Sequence, residues 1–244
     1  MRKDLRSPQD QLEQLQQEFE EFAYIVSHDL KAPIRAISNL SSWIEEDLAE
    51  GATGDVEHNM QLLRNRTQRL ERMIDALLQY SRVTRQHLEV EPTDVNELVK
   101  EVMASALTDS NMTLHVPSPL PVLHTYKAKL AQVFGHLLQN SANFCGGQPV
   151  EVTVTAEDAG DYYLFRVQDT AGGVPEEALE KIFSLFYTVA PKDAVNTAGA
   201  GLAITKKIIQ FTGGSITAEP HIPKGLVIRF TWPKTIHTEN QEEA

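Results

Sequence analysis

The sequence predicts an α+β chain: an N-terminal antiparallel helical hairpin that pairs with a second copy as a four-helix bundle, then a sheet with helices on one face. Three observations predict it. Apolar residues at Leu12, Leu15, Phe19, Phe22 and Val26 alternate gaps of three and four, the spacing of a coiled-coil seam. After Gly51-Ala52-Thr53-Gly54 the rhythm resumes at Val56, Met60, Leu63, Thr67, Leu70, Ile74 and Leu77, so the glycines join two antiparallel helices. From residue 94 to residue 235 the helical and strand periods are mixed, which predicts an α+β layer.

One hairpin cannot cover both its apolar faces, whereas two hairpins form a four-helix bundle, so a homodimer is expected. Within the first helix, Ser27-His28-Asp29-Leu30-Lys31-Ala32-Pro33-Ile34 places a proline one turn beyond a His-Asp pair. A proline in a helix interior removes a backbone bond and costs about 3 kcal/mol or more. The missing N–H of Pro33 would have met the carbonyl of Asp29. His28 lies two positions past Val26, off the seam and towards solvent, where a partner can reach it. The plain reading is a surface histidine on a helix that bends.

Beyond the hairpin, Glu89-Val90-Glu91-Pro92-Thr93 breaks the rhythm and reads as a linker, and Asp94-Val95-Asn96-Glu97-Leu98 as a capped helix start. A second helix is expected from about Lys127 to Phe144, and strands at Val150–Thr155, Tyr162–Gln168, Ser215–Glu219 and Leu226–Trp232. The expected organisation is residues 1–90 for the hairpin and its coiled-coil entry, 94–235 for the second domain and 236–244 for an acidic tail.

Composition narrows the function. The 244 residues suffice for two modest domains, and 41% hydrophobic content supports packed cores. A net charge of −12 argues against nonspecific nucleic-acid binding and against anionic membranes. The chain has no apolar run of membrane-spanning length and its polar start is unlike a signal peptide, so no membrane insertion is expected. The single cysteine, Cys145, fits a reducing, cytoplasmic setting.

Four short segments carry a second chemistry. Asn140 sits on the Lys127–Phe144 helix with His136 one turn earlier, and its neutral carbonyl oxygen suits Mg²⁺ beside phosphates. Asp169 ends a strand before Thr170-Ala171-Gly172-Gly173, where a carboxylate can accept from an amino group such as that of adenine. Gly199-Ala200-Gly201 precedes the helical run Leu202–Ile209, offering free N–H groups and a favourable dipole to phosphate. Thr188–Ala198 has little apolar pattern and reads as a mobile lid. Taken singly, each has an ordinary reading as a solvated Asn, turn chemistry or close packing. Their order and spacing after a histidine-bearing hairpin set them apart.

Here the chain resembles the catalytic core of a two-component sensor histidine kinase, over residues 10 to 233. Ser27-His28-Asp29-Leu30-Lys31-Ala32-Pro33 resembles the family's H box and Leu137-Leu138-Gln139-Asn140-Ser141-Ala142-Asn143-Phe144 its N box. Asp169-Thr170-Ala171-Gly172-Gly173-Val174 resembles the first glycine box, Ile182-Phe183-Ser184-Leu185-Phe186-Tyr187 the F box, and Thr197-Ala198-Gly199-Ala200-Gly201-Leu202-Ala203-Ile204 the second glycine box. The nucleotide boxes alone are shared with the wider Bergerat-fold ATPases, which leave His28 to Pro33 unexplained.

The resemblance implies a dimerisation and phosphotransfer hairpin followed by an α/β sandwich that binds ATP. ATP and Mg²⁺ would be the cofactors, with His28 accepting the γ-phosphoryl group and Asp29 acting as its base. Asn140 would hold Mg²⁺ and Asp169 would recognise adenine. Asn143, Gly172, Gly173, Gly199, Gly201 and Leu202 would complete the nucleotide-binding set. An aspartate on a response regulator receiver domain would then take the phosphoryl group, with an upstream sensor module as input.

Several positions depart from the pattern. His136 stands where relatives usually have Asn, Asn143 where many have a basic residue, Ala171 where a glycine is usual, and Thr197 and Ala200 in place of Gly and Leu. If Ala171 replaces a glycine of positive φ, its methyl weakens binding. These departures leave a second reading: a nucleotide-impaired phosphotransfer scaffold that binds receiver domains or a partner kinase without phosphorylating itself. Ala32 stands where relatives carry Thr or Asn to orient water, which predicts weak phosphatase activity towards the regulator.

Overall fold

Pro33 does not end the first helix. In the computed structural model, which describes residues 8–51, 54–84, 89–106, 111–189 and 197–236, helix α1 runs Pro8–Glu50 with Pro33 inside it and buried. The ring packs inward while the Asp29 carbonyl forgoes its helical donor. Gly51, at φ +73°, ends α1 in the left-handed conformation that glycine adopts without a Cβ clash. Helix α2 follows as Gly54–Arg82, with Asp55 and Glu57 in its first turn and Arg82 in its last, each sign suited to the helix dipole. Asn59 Nδ2 donates to Asp47 Oδ2 at 3.1 Å, joining the two helices near their connection.

The stripe that α2 buries is offset from the expected seam. Arg69, Met73 and Ala76 are buried, whereas Leu63, Leu70 and Leu77 are half-buried and Ile74 is 45% exposed. On α1, Pro33 and Leu40 are buried while Phe19, Ile34 and Leu48 lie open. A hairpin covers one face with its own second helix, and the remaining apolar residues stay uncovered. The side chains of Leu12 and Leu15 lie outside the described residues.

The chain divides into two compact units between Ile74 and Asp75. In the second unit, the stretch read as a linker contains a strand. β1 (Glu91–Asp94) pairs antiparallel with β3 (Val122–Thr125). Its four residues include Pro92, and so short a run shows too little alternation to be read as a strand. α3 (Val95–Ala106) then begins at the expected cap: Asp94 Oδ1 accepts from the amides of Asn96 at 2.8 Å and Glu97 at 3.3 Å. Those bonds hold the Asp94 carboxyl below its ordinary pKa.

The main sheet adds β2 (Met112–His115), β4 (Val150–Ala159), β5 (Tyr162–Asp169), β6 (Ile216–Pro220) and β7 (Leu226–Pro233), in the order β2-β4-β5-β7-β6. β2 runs parallel to β4 and every other pair is antiparallel. β2 and β3 escape the sequence reading for the same reason as β1. α4 (Lys127–Asn143) and α5 (Gly201–Phe211) lie on the expected spans.

Alternate residues of the central strands, Val152, Val154, Phe165, Val167, Ile228, Phe230 and Trp232, are buried, as are Phe134 and Leu138 of α4 and Ile204 and Ile208 of α5. Phe134 sets its edge on Phe165, with ring centres 5.8 Å apart, and Phe165 stacks on Phe230 at 5.1 Å. Trp232 Nε1 donates to buried Thr125 Oγ1 at 2.8 Å, tying the main sheet to the small one. Lys207 of α5 holds its ammonium 3.9 Å from the ring centre of Tyr80, in the last turns of α2. No described helix is long and apolar enough to cross a membrane.

Candidate functional site

The first unit presents His28. Its side chain is 71% exposed, and Nδ1 lies 3.3 Å from Oδ1 of the neighbouring Asp29. A carboxylate at that distance favours the tautomer with the proton on Nδ1, leaving Nε2 as the nucleophilic nitrogen. Ala32 is exposed and carries no polar group.

The second unit gathers the other predicted residues around the end of β5 and the start of α5. Asp169 is only 6% exposed, and its carboxylate is held by three donors. Oδ1 accepts from the amides of Ala171 at 2.9 Å and Leu226 at 3.1 Å, and Oδ2 from Ser141 Oγ at 2.9 Å. A carboxylate offers about four lone-pair sites, so one position on Oδ2 is left for another N–H donor.

The glycines that follow are shaped by close backbone contacts. Gly172 donates its amide to the Phe144 carbonyl at 3.0 Å, joining the turn to the end of α4. Gly173 takes φ +76°, and a Cβ there would stand 3.2 Å from the Gly225 carbonyl oxygen. Ala171 is buried at 4% exposure and does not have positive φ; among the described non-glycine residues only Phe186 does, at 62°. The alanine therefore sits without the backbone strain that a replaced positive-φ glycine would bring.

The start of α5 carries the other expected glycines. Gly199, at φ +71°, lies so close to the F-box segment that a Cβ would come within 2.8 Å of the Tyr187 carbonyl oxygen. The first α5 backbone bond runs from Ile204 N to the Ala200 carbonyl at 2.9 Å. The amides of Gly201, Leu202 and Ala203 precede it and have no helical partner. No side chain caps this end and no acidic residue lies in its first turn. An anion fits there on both counts. Most of the expected lid, residues 190–196, lies outside the described residues.

α4 packs against α5 and carries the remaining polar residues. Asn140 is half-buried, and its side-chain amide makes no hydrogen bond among the described residues, so Oδ1 is available to a cation. No cluster of three or more His, Cys, Asp or Glu side chains able to hold a metal occurs among the described residues. A neutral amide oxygen such as Asn140 Oδ1 fits a Mg²⁺ whose other positions phosphates and water would fill. Asn143 is engaged elsewhere, accepting from Gln139 Nε2 at 3.1 Å. His136 lies against α5: Nδ1 is 3.3 Å from Thr205 Oγ1, and a Cβ on Gly201 would stand 3.8 Å from the ring. Burial pushes the His136 pKa down to about 4, so the ring is neutral.

Sequence reasoning passed over Ser141, Thr205, Leu226 and Gly225. Ser141 is a hydroxyl residue inside a helix, a weak signal by itself. Gly225 meets Asp169 only through the fold: it has φ +127°, and a Cβ would overlap the Asp169 carbonyl oxygen.

Two family models match the chain. The family model described as "His Kinase A (phospho-acceptor) domain" matches residues 20–86. The model described as "Histidine kinase-, DNA gyrase B-, and HSP90-like ATPase" matches residues 125–236. Cyanobacterial phytochrome B from Nostoc sp. is 32% identical over 91% of this chain and 30% of its own length. The methanogenesis regulatory histidine kinase FilI from Methanothrix harundinacea is 28% identical over 88% of this chain and 25% of its own. The chain thus spans about a third or less of the length of these relatives. Among solved structures, the catalytic domain of histidine kinase ThkA aligns with TM-score 0.51 at 29% identity, covering 61% of this chain and 97% of that domain. ThkA in complex with the response regulator protein TrrA aligns over 98% of this chain and 70% of ThkA, with TM-score 0.64 at 24% identity, and supports the fold.

Proposed function

The chain belongs to the sensor histidine kinases, as a catalytic core, and on that premise we propose that it phosphorylates itself on His28 and passes the group to an aspartate of a response regulator. The observation that carries this reading is the exposed His28 imidazole with Asp29 3.3 Å from Nδ1. Asp29 holds the proton on Nδ1 and offsets the positive charge that would develop on the ring as Nε2 bonds to the γ-phosphorus, the bond from that phosphorus to the bridging oxygen breaks and ADP leaves. The proton that leaves the phosphorylated ring passes to that carboxylate or to water.

ATP with Mg²⁺ supplies the electrophilic γ-phosphoryl group when bound. The open Oδ2 position of Asp169 accepts the adenine amino group, the unpaired amides at the start of α5 receive phosphate oxygens, and Asn140 Oδ1 holds the cation. Gly172, Gly173, Gly199 and Gly201 let backbone close on the nucleotide, with Leu202 in the first turn of α5. Phosphoryl transfer asks the protein mainly for alignment and charge stabilisation, which these groups provide. Asn143, paired with Gln139, plays a lesser part. Alanine at 171 without positive φ favours a working pocket over the nucleotide-impaired scaffold.

The apolar residues left open on α1 and α2 favour a homodimeric bundle, and an upstream sensor module with a cytoplasmic site of action completes the reading. Incubation with γ-labelled ATP and Mg²⁺ tests it. Acid-labile, alkali-stable label should appear on the chain and vanish in His28→Gln. A chain that binds nucleotide calorimetrically and stays unlabelled, or label that persists in His28→Gln, overturns it.

A further inference from the structure

Thr205 has one hydroxyl hydrogen and two polar neighbours. Its Oγ1 lies 2.9 Å from the carbonyl oxygen of Gly201 and 3.3 Å from Nδ1 of His136. The carbonyl can only accept, so the hydroxyl hydrogen goes to Gly201, the shorter contact. Thr205 is 0% exposed, so no solvent molecule competes. Oγ1 is left with lone pairs facing Nδ1, and the contact is a hydrogen bond only if Nδ1 carries a hydrogen. The chain of bonds therefore runs His136 Nδ1–H to Thr205 Oγ1–H to Gly201 C=O.

With the proton on Nδ1 of a neutral ring, Nε2 is bare. It makes no hydrogen bond among the described residues. It is bonded to Cδ2, the ring atom 3.9 Å from where a Gly201 Cβ would stand, so it sits beside the first turn of α5. Asn140, one helical turn on, shares its face of α4.

We infer that Thr205 is a positioning residue: it locks His136 in the Nδ1–H form, so that Nε2 gives the nucleotide pocket a second neutral lone pair beside Asn140 Oδ1. This rests on the functional reading above. A lone pair repels bare phosphate oxygens, which have no hydrogen to offer. Of what a phosphate chain can bring to it, it takes a cation on the phosphates or water on that cation. The pair His136–Thr205 thus makes the pocket select nucleotide already loaded with a divalent cation.

The test combines the ring's tautomer with cation-dependent binding in the full chain. Long-range ¹H–¹⁵N NMR, with His136 assigned by His136→Asn, should show Nδ1 protonated and Nε2 bare without nucleotide, and Thr205→Val should lose that preference. By calorimetry, Thr205→Val should lose about three- to tenfold of the gain in ADP affinity that Mg²⁺ confers, the worth of one hydrogen bond. Its affinity for ADP in EDTA should be unchanged, and Thr205→Ser should keep both tautomer and gain. A wild-type ring protonated on Nε2 overturns the inference, whether or not Thr205→Val folds. So does a Thr205→Val chain with an undiminished Mg²⁺ gain, or one that loses affinity equally with and without Mg²⁺. A wild-type chain that binds no adenine nucleotide overturns the functional reading, and the inference with it.

Discussion

Ser141 donates a 2.9 Å hydrogen bond to Oδ2 of Asp169, joining the last turns of α4 to the end of β5 between two buried side chains. The same hydroxyl lies 3.2 Å from the Leu137 carbonyl, a longer contact that leaves its hydrogen with the carboxylate. Through this pair the helix carrying Asn140 is held in register with the strand carrying Asp169.

Ser141→Ala removes one of three donors from a buried carboxylate. It should destabilise the chain by about 1–3 kcal/mol in urea unfolding, the cost of a buried acceptor left short. Affinity for ADP, measured by calorimetry, should fall because Oδ2 loses the donor that sets its direction. Stability and affinity both equal to wild type would show that the carboxylate needs no such anchor.

Two glycines of positive φ separate strain from collision. Gly213, at φ +86°, has nothing within 4 Å of the point where a Cβ would stand, whereas the same atom on Gly225 would overlap the Asp169 carbonyl oxygen. Gly213→Ala should cost about 1–2 kcal/mol for the left-handed backbone alone. Gly225→Ala should cost more and abolish ADP binding, because the backbone beside Asp169 must move. Equal losses in the two variants would refute the proposed close approach.

Burial lowers the His136 pKa from 6.5 to about 4. Between those values the unfolded chain binds a proton that the native chain refuses. Stability therefore rises with pH across this window and is lost as pH falls from 6.5 towards 4. The loss should be of the order of 3 kcal/mol. Urea unfolding at pH 7 and pH 4.5 should show a steeper decline for wild type than for His136→Asn, and parallel declines would count against a buried neutral ring.

Ile74 of α2 and Leu48 of α1 are 45% and 61% exposed, apolar side chains that the hairpin leaves uncovered. Ile74→Glu combined with Leu48→Glu should convert the proposed dimer to monomer in sedimentation, with helical circular dichroism retained. A variant that sediments as wild type would place the dimer contact elsewhere.

Much of this architecture is legible in local pattern. Three-and-four spacing marks α1 and α2, Asp94 marks the start of α3, and Gly199 to Gly201 mark the start of α5. Strands β4, β5, β6 and β7 show in their runs of β-branched and aromatic residues. β1, β2 and β3 do not, because four residues, one of them Pro92 in β1, hold too few alternations to stand out. The buried stripe of α2 is offset from its apolar seam because burial depends on which face a neighbour covers, and spacing alone does not name the neighbour.

The site divides along the same line. His28, Asp29, Asn140, Asp169 and the glycines stand out as candidates from residue type and order, since the chemistry each offers belongs to the side chain or to the lack of one. The partners of those groups came from packing. Ser141 meets Asp169 across 28 residues, Leu226 N meets it across 57, and Thr205 meets His136 across 69. A hydrogen bond acts over about 3 Å, and only the folding of α4, β5, α5 and β7 around one core brings atoms so distant in the chain within that reach.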